Sequence, residues 1–131
     1  MSPGEPAVAV APPDDEPMPA HLPRRIGWLP FSHAAERPEA EALIEGTAAW
    51  SYARLAEAIR RAAALLVDLG VRPGDRIMIV AENGIAEVVL VFAASEIDAW
   101  PVPVNARLTP VEIDRIRDHG RPRRTFYTVA S

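Results

Sequence analysis

The sequence contains no cysteine and no lysine. The first absence excludes disulfides, iron–sulfur clusters and thiolate zinc sites. The second excludes a phosphate-loop lysine, a Schiff-base lysine and a lysine general base, because all 14 basic residues are arginine. Chemistry that needs a lysine must come from outside these 131 residues. Histidine is scarce as well, and His21, His33 and His119 lie far apart. The arginines face 18 acidic residues, for a net charge of −4. That is not the clustered basic footprint of a nucleic-acid binder. Long apolar runs are also missing. The longest nearly apolar stretch, Val88 to Ala94, is far short of the roughly 20 residues that span a bilayer. Residues 1–20 hold no arginine and are interrupted by Asp14, Asp15 and Glu16, so they read neither as a secretory signal nor as a transit peptide. A cytoplasmic protein is the expectation.

Proline is present in quantity but unevenly. Seven of the 14 prolines fall within the first 23 residues. Proline removes backbone donors, and this stretch has little apolar content to bury, so residues 1–23 read as a disordered tail. The foldable part is residues 24–131. Residues 26–40 read as irregular, with Trp28, Leu29 and Phe31 packing them onto the body. Ala42 to Glu45 and Ala48 to Trp50 flank Gly46-Thr47 and suggest a hairpin. Ser51 is a good N-cap for a long amphipathic helix over 52–69. Leu55, Ile59, Ala62, Leu66 and Leu69 recur at three- and four-residue intervals on one face, and Gly70 stops the helix. Pro73-Gly74 is a turn.

From there strands and helices alternate. The pattern predicts a strand over 76–80, an apolar helix over 85–98, and a strand over 100–104. Pro101 and Pro103 push that last strand to a sheet edge. Thr109-Pro110-Val111-Glu112 is a capping box that opens a helix ending at Gly120, and a final strand covers 124–129. The fold class is α/β: parallel βαβ units preceded by a short hairpin and a long helix. The helix from Ile85 needs cover on more than one face, and the last strand needs a neighbour. Both suggest the opening piece of something larger.

Open parallel sheets bind ligands at the carboxyl ends of their strands, which points to Ala81–Gly84 and Asn105–Thr109. Neither loop carries the glycines of a dinucleotide site, and no nucleophile elbow occurs. Asp75 reads as a turn carboxylate binding local amides. Glu82 stands at a strand end without a partner in sequence. Trp28, Trp50 and Trp100 read as core or rim packing, His119 as stabilising a helix C-terminus, and Arg121 to Arg124 as a solvated turn. Arg107 is the candidate binding residue. It lies between a strand and a capped helix, where a guanidinium holds a phosphate by two parallel bonds. The alternative is a partner for a nearby carboxylate.

Five segments, in order, resemble one family. Trp50-Ser51-Tyr52-Ala53-Arg54-Leu55 is similar to the first core motif of the adenylate-forming enzymes, which include acyl-CoA synthetases, adenylation domains of peptide synthetases, and luciferases. Leu69 to Arg76 is similar to their LGV-x-PGD-R turn. Ala81-Glu82-Asn83-Gly84 stands where the family often has Asn-Ser. Ala94 to Asn105 resembles the second core motif, with Asp98-Ala99 where Ala-Gly is common, and Arg107 to Ile113 the R-L-T-x-x-E-I that follows. The resemblance covers residues 38–128 and implies a partial N-terminal subdomain of such an enzyme. The implied reaction activates a carboxylic acid with Mg²⁺-ATP to an acyl-adenylate and transfers it to a thiol, usually coenzyme A. It assigns no catalytic residue and no metal ligand here. It places Arg107 near the coenzyme A entrance. ATP, Mg²⁺ and coenzyme A belong to the parent enzyme, and none is expected to bind this segment alone. The rest of the large domain would cover the final strand. Two rivals remain: a non-catalytic α/β module that binds through its sheet edge, and an independent flavodoxin-like or dinucleotide-binding domain.

Overall fold

The computed structural model describes residues 25–128, so the proline-rich tail and Val129 lie outside the described residues. Residues 26–40 are not irregular. They hold helix α1, Trp28–Glu36. Pro30 sits in its first turn, where the missing N–H has no intrahelical acceptor to lose, and the helix ends at Arg37, just before Pro38. A helix of 9 residues is too short to stand alone and depends on packing. It lies against α2 (Tyr52–Asp68). Arg60 caps the Phe31 ring at 4.7 Å, and His33 meets the Tyr52 ring at 5.0 Å. Pro30 is its buried residue, whereas Trp28 and Leu29 are exposed.

The hairpin forms as the sequence predicts. Strands β1 (Glu41–Glu45) and β2 (Ala48–Ser51) pair antiparallel, and the turn uses Gly46 at φ +58. Ser51 ends β2 and caps α2, accepting the Arg54 amide at 3.2 Å. Ala40 and Pro38 carbonyls take the Tyr52 and Ala53 amides, so the first turn of α2 has few orphan donors. Leu55, Ile59 and Leu66 are buried along one face. At the far end Gly70 takes φ +86. Its N–H bonds Val67 O and the Val71 N–H bonds Leu66 O, which is the Schellman closure.

Strand β3 (Arg76–Ala81) is central in a parallel three-stranded sheet of order β4-β3-β5, with β4 Trp100–Asn105 and β5 Arg124–Tyr127. Its side chains alternate between two cores. Ile77, Ile79 and Ala81 join Leu66, Val71, Ala93, Ala94 and Ala99 on the side of α2 and α3 (Ile85–Glu96). Met78 and Val80 join Val104, with Ile113 and Ile116 of α4 (Pro110–Gly120) packed against them. The result is helix, sheet, helix in three layers. Helix α3 ends two residues before the predicted Asp98, because Asp98 turns left-handed at φ +57. Its apolar surface is only partly covered. Only Ile85, Ala93 and Ala94 are buried. The left-handed stop after α4 falls on Arg121 (φ +46) rather than Gly120, which stays helical; Pro122 follows and prevents continuation. Thr128 lies beyond β5. No helix among the described residues is long and apolar enough to cross a membrane.

Candidate functional site

The carboxyl ends of β3 and β4 open into a polar cleft of about 440 Å³. Its walls are the two loops the sequence singles out. Glu82 and Asn83 come from the first loop, Asn105 and Arg107 from the second, and Glu87 from the first turn of α3. The parallel register sets Ala81 beside Asn105, so both loops leave the sheet at the same level. Asn105 shapes its own loop, its Oδ1 accepting the Arg107 amide at 2.9 Å in an Asx turn.

Arg107 has the partner its plainer alternative requires. Its Nε lies 3.3 Å from Glu82 Oε1. Both side chains are mostly in water, at 79% and 65% exposure, so the pair holds them together only weakly, by about 0–1 kcal/mol. The pair engages Nε and leaves the fork of terminal NH₂ groups facing solvent. The neighbouring helix end contributes nothing to an anion. Thr109 Oγ1 accepts the Glu112 amide at 3.3 Å, and the Glu112 carboxylate accepts the Thr109 amide at 2.8 Å. These Thr109 bonds hold the Glu112 carboxyl below its ordinary pKa, the backbone bond most strongly. The capping box is thus as predicted, and it already fills the N-terminus of α4 with a negative charge.

Two carboxylates beside one guanidinium do not suit a triphosphate, whose charge they repel. No glycine-rich phosphate loop and no lysine exist in the chain, and the described residues hold no group of three or more His, Asp or Glu placed for a metal. The cleft offers one fork for a phosphate and carboxylates that repel it.

The other sequence candidates lie elsewhere. Asp75 accepts the Arg72 amide at 2.8 Å, which is the local turn role. At the opposite end of the sheet, Arg76 bonds Gly120 O, Arg124 bonds Leu69 O, and Arg123 pairs with Asp75. Most of this arginine run therefore ties turns together. The tryptophans sit at the rim: Trp100 is 66% exposed, and Arg54 covers Trp50 at 4.3 Å. His119 lies in the last turn of α4. Sequence reasoning missed Glu45, which reaches this loop from 40 residues away through the Ile85 amide. Nothing in β1 signals such a bond.

The AMP-binding enzyme family matches residues 31–131, beginning within α1. The chain belongs to that family. Among AMP-binding relatives, 4-coumarate–CoA ligase 2 of Oryza sativa subsp. japonica is 38% identical over 100 residues, which are 75% of this chain and 17% of that protein. Feruloyl-CoA synthase of an Amycolatopsis species is 37% identical over 96 residues, 72% of this chain and 20% of that protein. The solved Mycobacterium tuberculosis fatty acyl CoA synthetase superposes with a TM-score of 0.75 at 28% identity, covering 79% of this chain and 21% of that one. A benzoate CoA ligase from Burkholderia xenovorans gives 0.73 at 30% identity, over 77% and 21%. The chain spans about a fifth of the length of the curated relatives it matches. The fold is that of part of the N-terminal domain of an adenylate-forming enzyme: the solved N-terminal domain of FACL13 from Mycobacterium tuberculosis superposes with a TM-score of 0.75 at 28% identity, over 79% of this chain and 26% of that one.

Proposed function

We propose that residues 24–131 are the first part of the large domain of a cytoplasmic ATP-dependent acid–thiol ligase. The whole enzyme joins a carboxylic acid to coenzyme A through an acyl-adenylate. The observation that carries this reading is the match to CoA ligases across one stretch of about a fifth of their length. In this reading the segment is scaffold plus one cleft wall. The phosphate loop, the nucleotide-binding residues and the catalytic lysine lie in other parts of the enzyme, because this stretch has no lysine and no glycine-rich phosphate loop. The apolar groove of about 310 Å³ between α3 and β5, lined by Ile79, Leu90 and Phe126, is where the rest of the large domain packs.

Arg107 is the one residue here assigned to a substrate. Its terminal NH₂ groups meet a phosphate of coenzyme A, which displaces the weak pair with Glu82. Three measurements check the reading. Intact mass of the native protein is expected at several times 14.3 kDa. Acid-dependent exchange of pyrophosphate into ATP is expected from the whole enzyme, and its absence with every acid tried would overturn the ligase reading. Arg107→Ala is expected to raise the KM for coenzyme A about tenfold, the loss of one charge-assisted contact, and to leave pyrophosphate exchange unchanged. Unaltered coenzyme A kinetics would remove Arg107 from the site and leave the ligase reading standing.

A further inference from the structure

The N-terminus of α3 is capped from a different element. Gly84 is its N-cap and has no side chain to offer. The Ile85 amide donates instead to Glu45 Oε2, at 3.1 Å. Glu45 is the last residue of β1, directly before the hairpin turn. Its other oxygen, Oε1, lies 2.8 Å from the place a Cβ on Gly84 would take. The Gly84 backbone does not require glycine, since φ −178 is extended and open to any residue. What glycine provides is room. The carboxylate fills the space of a side chain at position 84 and takes the first free amide of the helix, where an N-cap side chain would take the second or third, with its charge at the positive end of the helix.

We infer that Glu45 is a positioning residue for the cleft: it caps α3 in trans and so fixes the Glu82–Gly84 loop that forms one wall. A bond across 40 residues makes the hairpin a brace. The brace sets where Glu82 stands, and Glu82 in turn pairs with Arg107. The inference rests on the hydrogen bond and the crowding at Gly84, whatever ligand the cleft takes.

A cap can be supplied by residue 45 or by residue 84, but both cannot occupy one space. That mutual exclusion gives a test by amide hydrogen exchange on the full-length protein. Glu45→Ala is expected to speed exchange from Glu82 to Val88 about five- to tenfold, the usual loss for a cap, and to leave β3 and α2 unchanged. Gly84→Ser alone is expected to give no added protection, because its side chain displaces the carboxylate. The double variant Glu45→Ala/Gly84→Ser is expected to restore protection, because the hydroxyl enters the vacated space. This dependence of the Gly84→Ser effect on residue 45 is the signature of two groups sharing one site. Acceleration spread evenly over β3, α2 and α3 would reduce Glu45 to general stability and overturn the inference. So would unchanged exchange at 82–88, or a double variant as open as the single one. If Glu45→Ala does not fold, Glu45→Gln keeps the shape and an acceptor but loses the charge. It is expected to accelerate the same amides about twofold, and a rise centred elsewhere would overturn the inference.

Discussion

Ile59 and Leu65 lie on one helix with opposite fates. Ile59 has no exposed surface, and Leu65 keeps 51% of its own. The three- and four-residue spacing through Leu55, Ile59 and Leu66 separates them, so this core stripe is legible from sequence. Ile59→Ala is expected to cost 2–5 kcal/mol in denaturant unfolding, roughly the range for a truncated core residue. Leu65→Ala should stay within about 0.5 kcal/mol. Equal costs would mean that α2 is buried on both sides in the native protein. Asp98 was less legible. Its left-handed φ of +57 shows only in the backbone, although aspartate tolerates that region better than most residues. Asp98→Val should cost about 1–2 kcal/mol, and Asp98→Gly should cost far less. A neutral Asp98→Val would mean that the turn relaxes. Arg107 was legible as a position and not as a state, because its Glu82 partner is 25 residues away.

Among the elements, those with local chemistry were readable and those made by packing were not. The capping box at Thr109, the Schellman closure at Gly70 and the hairpin around Gly46 are written in adjacent residues. Helix α1 is not. Residues 26–40 read as irregular, and the helix they hold takes its stability from α2 and the Phe31–Arg60 stack. Helix α4 gives an element-scale prediction with a definite sign. The Glu112 carboxyl has a lowered pKa in the fold, so its contribution is fully present above the ordinary glutamate value of about 4.3. That contribution fades as pH falls through the lowered folded value. Exchange protection of the first turn of α4 should therefore decline at the acid end of the titration and not near neutrality. Thr109→Ala should lower stability by about 1 kcal/mol and flatten that acid dependence. A dependence unchanged in Thr109→Ala would place its origin outside the capping box.

At the scale of the molecule, the parallel sheet and its layers follow from alternation of strand and helix, and the sequence pattern carries that order. The brace from Glu45 to α3 does not follow, because no periodicity encodes a contact between a hairpin and a distant helix end. The two edges of the sheet also differ. Trp100 and Ala106 send their amides inward to Asp75 and Ala81 carbonyls, so the strand's alternation turns the nitrogens of Pro101 and Pro103 outward. Those nitrogens carry no hydrogen, and the β4 edge is shut to another strand. Among the described residues the β5 edge has no such guard. A sheet with one shut edge and one open edge behaves as a chain terminator, not as a monomer for a polymer. If two copies meet through β5, each uses up the one open edge of this three-stranded sheet among the described residues, and the union is a closed pair. Self-association through this three-stranded sheet should thus stop at two copies at any concentration, where a sheet open on both sides would grow into fibres.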